Sequence, residues 1–149
     1  MIFRQSQMED VTTIAEIYSH ARTMMAATGN PNQWVDGHPR LSLIEDDIKA
    51  QISYVCVIDG RIEAVFVLLR EGDSDYDRIY QGQWQNDDPY VAIHRLASAG
   101  RVAGLAGAIF DWCQKSSPNI RIDTHRDNRV MQRLLTKHGF TYCGLIYLK

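Results

Sequence analysis

The stretch Tyr90–Cys113, YVAIHRLASAGRVAGLAGAIFDWC, constrains this chain more than any other. Its opening run, Tyr90–Leu96, has the short apolar character of a strand. Ala97, Ser98, Ala99 and Gly100 make a small-residue turn. The spacing then predicts a helix whose first turn is Arg101-Val102-Ala103-Gly104-Leu105-Ala106. A strand that runs through a glycine-containing turn into a helix N-terminus presents unpaired N–H groups and a positive dipole end. That combination is an anion site, and phosphate is its commonest guest. Gly104 and Gly107 weaken the helix they sit in, which predicts that something approaches the backbone closely there.

With 149 residues, 45% of them hydrophobic, the chain suits one domain with a substantial core and is short for two. The net charge is −2 and the Lys and Arg residues are scattered, which argues against nucleic acid or an acidic membrane as partner. No apolar run approaches the roughly 20 residues of a membrane span, and MIFRQSQMED lacks a signal-peptide pattern. Cys56, Cys113 and Cys143 are odd in number and lack CxxC spacing, so reduced thiols in a cytoplasmic protein are expected. His20, His38 and His138 have no metal-ligand spacing, and no metal site is expected.

Taken in order, Ile2–Gln5 is a short strand, and Ser6–Glu9 offers a capping box for a helix ending near Gly29. Thr28–Arg40 is a loop, and Ser42–Glu45 offers a second box for a short helix with Ile44, Ile48 and Ile52 inward. Ser53–Ile58 and Arg61–Leu69 form a hairpin about Asp59-Gly60. Glu71–Asp88 is polar and irregular. After the opening strand and helix come a strand at Ile120–Thr124 and a helix at Arg129–His138 capped by Asn128 and stopped by Gly139. Phe140–Leu148 is expected as a closing strand. The order β-α-α-β-β-β-α-β-α-β implies an α/β fold, a mixed sheet flanked by helices on both faces. Strands Tyr90–Leu96 and Ile120–Thr124 are then parallel through a right-handed crossover. Ligands of such sheets sit at the carboxyl ends of the parallel strands.

This pattern resembles the GNAT superfamily of N-acetyltransferases nearly end to end, as one domain over residues 1–149. The family's acyl-coenzyme A loop, Q/R-x-x-G-x-G/A, is matched by Arg101-Val102-Ala103-Gly104-Leu105-Ala106. Its later N-x-x-A-x-x-L-Y-x-K-x-G-F stretch is echoed by Asn128, Leu134, Lys137, Gly139 and Phe140. The resemblance implies acetyl-CoA as co-substrate and direct transfer of its acetyl group to an amine, on a small molecule or a peptide. It also implies that Arg101, Val102, Ala103, Gly104, Leu105 and Ala106 hold the pyrophosphate. Leu96 and Ala97 would pair with the pantetheine arm like an added strand and direct an N–H at the thioester carbonyl. Asn128 would hydrogen-bond the pantetheine. The sequence departs from the family pattern at three places. Val102 stands where a glycine is common, Leu135 replaces the tyrosine that protonates the leaving thiolate, and one closing strand stands where a hairpin is usual. A partner subunit could supply the missing strand, as in a homodimer. A non-catalytic acyl-CoA sensor or a nucleotide sensor are the competing readings.

Several residues carry two readings each. His94, near the end of its strand, is a candidate general base, histidines titrating near neutral pH, or else a satisfied core histidine. Strict alternation would put it on one face with Ala92 and Leu96. His125 is a base or substrate contact, or a hydrogen-bonded loop residue. Tyr142 and Cys143 are a substitute acid, or a packed tyrosine and an inert thiol. Trp34, Tyr80 and Trp84 border the acceptor pocket as floor or lid, or are aromatic plugs. Asp123 is expected to pair with Arg121, Arg126 or Arg95. The pairs Asp46-Asp47 and Asp87-Asp88 are expected on solvated faces or as caps.

Overall fold

Asp59 and Gly60, at φ +51° and +75°, turn the chain between β2 (Ser53–Ile58) and β3 (Arg61–Leu69), as their sequence requires. This computed structural model describes residues 1–148. Around the hairpin lie β1 (Ile2–Gln5), β4 (Val91–Ser98) and the two-residue β5 (Ile120–Arg121). The sheet order is β1-β2-β3-β4-β5, antiparallel up to β4 and parallel between β4 and β5. The helices are α1 (Val11–Ala27), α2 (Leu41–Lys49), α3 (Leu105–Gln114) and α4 (Arg129–Lys137). None among the described residues is long and apolar enough to cross a membrane.

Both faces of the sheet are covered. Ile14, Tyr18, Ile44 and Ile48 of α1 and α2 pack on Val55 and Val65. On the other face Leu105, Ile109, Phe110 and Cys113 of α3 meet Phe66, Leu68 and Ile93, with Leu135 of α4 at the margin. Burial pushes the Cys113 thiol up to about 12, which keeps it protonated. Trp112 lies stacked on Phe3 and against Tyr54 and Phe66.

Five local expectations are corrected. The first cap sits one residue later than Ser6–Glu9. The Gln7 N–H donates to Asp10 at 2.8 Å, while Ser6 Oγ bonds Ser53 Oγ. The second helix starts at Leu41 with Arg40 as N-cap, so Ser42 does not cap it. The third starts at Leu105, because Gly104 at φ +78° cannot belong to a right-handed helix, and Arg101–Gly104 is a turn. Finally, 140–148 forms no strand, and β5 stops at Arg121 rather than Thr124. The two-residue β5 leaves no long edge to pair with. The last segment instead bridges Tyr80 through Leu145, with two N–H···O bonds of 2.8 Å. Its backbone lies so close to Gly82 that a Cβ there would sit 1.8 Å from the Cys143 carbonyl oxygen.

Asp10 carries a pH-dependent share of stability. Its carboxylate takes two hydrogen bonds from Arg4, at 2.8 and 3.1 Å, and one from Gln7. The Arg4 hydrogen bonds chiefly hold its carboxyl below the usual range. A depressed folded-state pKa stabilises above the unfolded value of about 3.9, and that gain disappears as pH falls through the folded value. Asp10→Asn is therefore expected to cost about 1 kcal/mol at neutral pH. Urea denaturation at stepped pH should show the gap to wild type closing below about pH 4.

Candidate active site

β4 and β5 pair only at Val91–Ile120 and Ala92–Arg121. Past that point β4 stays on β3 while 122–128 leave, so the sheet forks at the carboxyl ends of its two parallel strands. Beside the fork β4 is bulged. His94 lies opposite Val67 and Ala97 opposite Val65, so Phe66 faces both Arg95 and Leu96. The bulge reverses the alternation, and Leu96 packs into the α3-side core with Val91 and Ile93 rather than sharing a face with His94. Arg95 stands at φ +46°, a costly conformation for a bulky residue. Two contacts hold it there. Tyr18 donates its hydroxyl to the Arg95 carbonyl at 2.8 Å, and the Arg95 guanidinium grips Asp47 through Nε and Nη2 at 3.0 and 2.9 Å. Burial pushes the Tyr18 phenol up, so it remains a donor. Burial also raises the Asp47 carboxyl, which the Arg95 charge opposes. Asp47 is thus buried and paired, not on a solvated face.

The turn before α3 has Gly100 at φ +82° with the His20 ring against it; a Cβ there would lie 2.9 Å from His20 Nε2. Arg101 is partly exposed but tied back to β3. Its guanidinium bonds the buried Glu63 at 2.9 and 2.8 Å and the Ile62 carbonyl at 3.2 Å. Val102 packs against the α3-side core, Leu105 is buried within it, and Ala106 lies at its edge. Ala97 is buried on the α1 side. No side chain caps α3, whose N-cap is Gly104, and nothing lies within 4 Å of a Cβ placed there. Gly107 has another reason to be small. Its close neighbour is the protein's own His138, 2.6 Å from where a Cβ would stand.

At the fork, His94 and Asp123 face each other one alternation beyond the last paired residues. Asp73 Oδ2 lies 2.7 Å from His94 Nε2, and Asp123 Oδ2 lies 3.6 Å from Nδ1. Asp73 is oriented by its Oδ1, which takes the Asp75 N–H at 2.9 Å, and by Tyr90, whose hydroxyl bonds the Asp73 backbone. The buried Tyr76 donates to Asp123 at 2.5 Å and lays its ring against His94. Burial, and then Asp123, push the Tyr76 phenol up and keep it a donor. Asp123 thus partners Tyr76 and His94 rather than the expected Arg121, Arg126 or Arg95. Arg121 instead lies between the rings of Trp84 and Tyr90.

The other expected residues are placed apart from one another. His125 accepts the Asp127 N–H at Nδ1, 3.0 Å, which makes it a hydrogen-bonded loop residue. Tyr142 is 76% exposed, so it is not packed, and Cys143 donates to the Thr141 carbonyl. Tyr80 stacks edge-on with Tyr147. Trp84 donates to the Tyr76 carbonyl and supports Arg121. Trp34 packs against Tyr18 and His38. Asn128 caps α4 through Met131 N–H and also donates to Gln33 at 2.9 Å, tying the loop after α1 to the fork. Asn30 donates to the same Gln33 oxygen. Thr124 Oγ1 and Asn30 Oδ1 are buried and have no hydrogen-bond partner among the described residues.

Sequence pattern does not single out Asp73, Tyr76, Tyr18, Asp47 or Arg95 as site residues. Only Asp73-Ser74-Asp75 carries a local signal, that of a carboxylate capping its own turn.

No family model matches the chain, and no curated protein matches its sequence. Among solved structures, a GNAT-family acetyltransferase from Streptococcus agalactiae is 31% identical. The match covers 99% of this chain and 88% of that one, with TM-score 0.89. An aminoglycoside antibiotic 6'-N-acetyltransferase from Acinetobacter haemolyticus shares 14% identity over 100% of this chain and 97% of its own, with TM-score 0.65. AAC(6')-Iy, in complex with the bisubstrate analogue CoA-S-monomethyl-acetylneamine, shares 16% over 99% and 95%, with TM-score 0.63. The last two show the fold alone. The five-stranded forked sheet, its helix order and the full-length match at 31% identity agree, and the chain belongs to the GNAT family of acetyltransferases.

Proposed function

We propose that this protein transfers the acetyl group of acetyl-CoA to a primary amine by direct attack. The observation that carries this is the fork itself, with a bulged strand on one side and His94 set between two carboxylates at its lip. A fold neighbour holds a CoA bisubstrate analogue, which supports the same ligand here. The pyrophosphate would rest on the amides of Val102, Ala103, Gly104 and Ala106. Arg101 is neutralised by Glu63, so backbone N–H groups and the α3 dipole would carry the binding.

Asp73 would fix the imidazole with its Nε2–H donating, which leaves the Nδ1 lone pair for the acceptor. An ammonium bridging Nδ1 and Asp123 from the open side would bond the carboxylate and give a proton to Nδ1. The freed amine then attacks the thioester carbon, and the oxyanion faces the Leu96 N–H. The C–S bond breaks as the nitrogen loses its second proton, which the thiolate gains. A thiol of pKa about 8.5 leaves adequately at neutral pH, so Leu135 in place of a tyrosine does not prevent turnover.

Melting with and without CoA tests the binding. About a hundredfold excess over Kd should add some 2.7 kcal/mol, or roughly 5–10 °C. Gly104→Val forces a branched residue to φ +78° in open space, at a cost of about 1–2 kcal/mol, and should erase the CoA shift while the protein stays folded. An undiminished shift in this variant means that the pyrophosphate lies elsewhere. Thiol release across an amine panel separates a transferase from a sensor, which binds CoA and releases nothing.

A further inference from the structure

We infer that Tyr18, Asp47 and Arg95 are positioning residues for acyl transfer, acting through the strand bulge to aim the Leu96 N–H. This rests on the transferase function proposed above. The Arg95–Leu96 peptide is planar and trans, so its C=O and N–H point in opposite directions. Tyr18 pulls the carbonyl toward α1 with a 2.8 Å hydrogen bond, which turns the Leu96 N–H away from α1. The Arg95 side chain is anchored to α2 by the two bonds to Asp47. Backbone held at φ +46° relaxes unless neighbours over-determine it, and here two helices do so from one side.

Tyr18 and Asp47 are buried and Arg95 is half-buried, and the polar atoms of all three are engaged with one another or with the Arg95 carbonyl. The phenol and the ion pair therefore act on the direction of one amide. An oxyanion donor that is misdirected by a fraction of an ångström loses most of its effect on the barrier while ground-state binding elsewhere is kept.

The test uses acetyl-CoA labelled with 13C at the thioester carbonyl, read by difference infrared spectroscopy on the full chain. In wild type the bound carbonyl stretch should fall below its free value. Tyr18→Phe keeps the buried ring and removes only the donor. It should return the stretch toward the free value and lower kcat roughly 10- to 100-fold, with KM for acetyl-CoA within about twofold and the CoA melting shift intact. Asp47→Asn should do the same, and it serves as the second variant should Tyr18→Phe fail to fold. Variants that keep both the lowered stretch and wild-type kcat overturn the inference. So does a wild type that binds acetyl-CoA with no lowering at all. A wild type showing no CoA melting shift overturns the transferase function itself, and this positioning role falls with it.

Discussion

Replacing His94 with glutamine is expected to lower kcat by about 10²- to 10⁴-fold with little change in KM for acetyl-CoA. Glutamine approximates the imidazole's size but cannot take a proton, so the Asp73–Asp123 gap stays filled while the base is lost. Asp73→Asn offers a complementary probe. A carboxylate at 2.7 Å from Nε2 demands a proton on that nitrogen, whereas an amide can donate to it and shift the proton to Nδ1. The Asn variant should therefore lose a large part of kcat without losing His94. Steady-state rates for wild type, His94→Gln and Asp73→Asn, with any amine that supports turnover, decide the matter. If the His94 variant retains activity within threefold of wild type, Asp123 or solvent takes the proton instead.

The second large effect concerns stability. Phe66→Ala should cost about 3–5 kcal/mol, seen as a urea midpoint shift at unchanged slope and a melting point lower by roughly 10 °C. Phe66 is fully buried at the centre of an aromatic group, with Tyr54, Trp112 and Phe3 at ring distances of 5.7, 5.9 and 6.3 Å. Rings packed on several sides cannot close the gap it leaves. Because Phe66 also stands across from both bulge residues, its loss should weaken acetyl transfer beyond what lowered stability explains. A cost under 1 kcal/mol would mean that the core refills around the site.

Where a structural choice depends on near neighbours in the chain, it was legible beforehand. Asp59-Gly60 must turn with positive φ, Asn128 has a side chain that reaches the N–H of Met131, and Gly139 stops α4 at φ +87°. The near-continuous apolar runs of β2 and β3 mark strands buried on both faces, and the period of α1 left little freedom over which of its sides packs inward. Helix starts were less secure, because several polar residues near each start could cap it and only the final packing chooses among them. Ser6 and Ser42 lost to their neighbours for that reason.

The site depended on partners remote in sequence. His94 meets Asp73 across 21 positions, Arg101 meets Glu63 across 38, and Arg95 meets Asp47 across 48. Such pairings follow from sheet register and from how an irregular polar segment folds back, neither of which has a periodic signature. One inserted residue in β4 sufficed to reverse the expected face of Leu96. The sequence by itself determined the order of elements as far as α4, the hairpin and the presence of a glycine-bearing turn ahead of α3, because each is settled within a few residues of backbone preference and apolar spacing. Only the tertiary structure decided which charges neutralise one another, where the sheet forks and which groups surround His94, because those depend on distances between segments that the chain alone does not bring together.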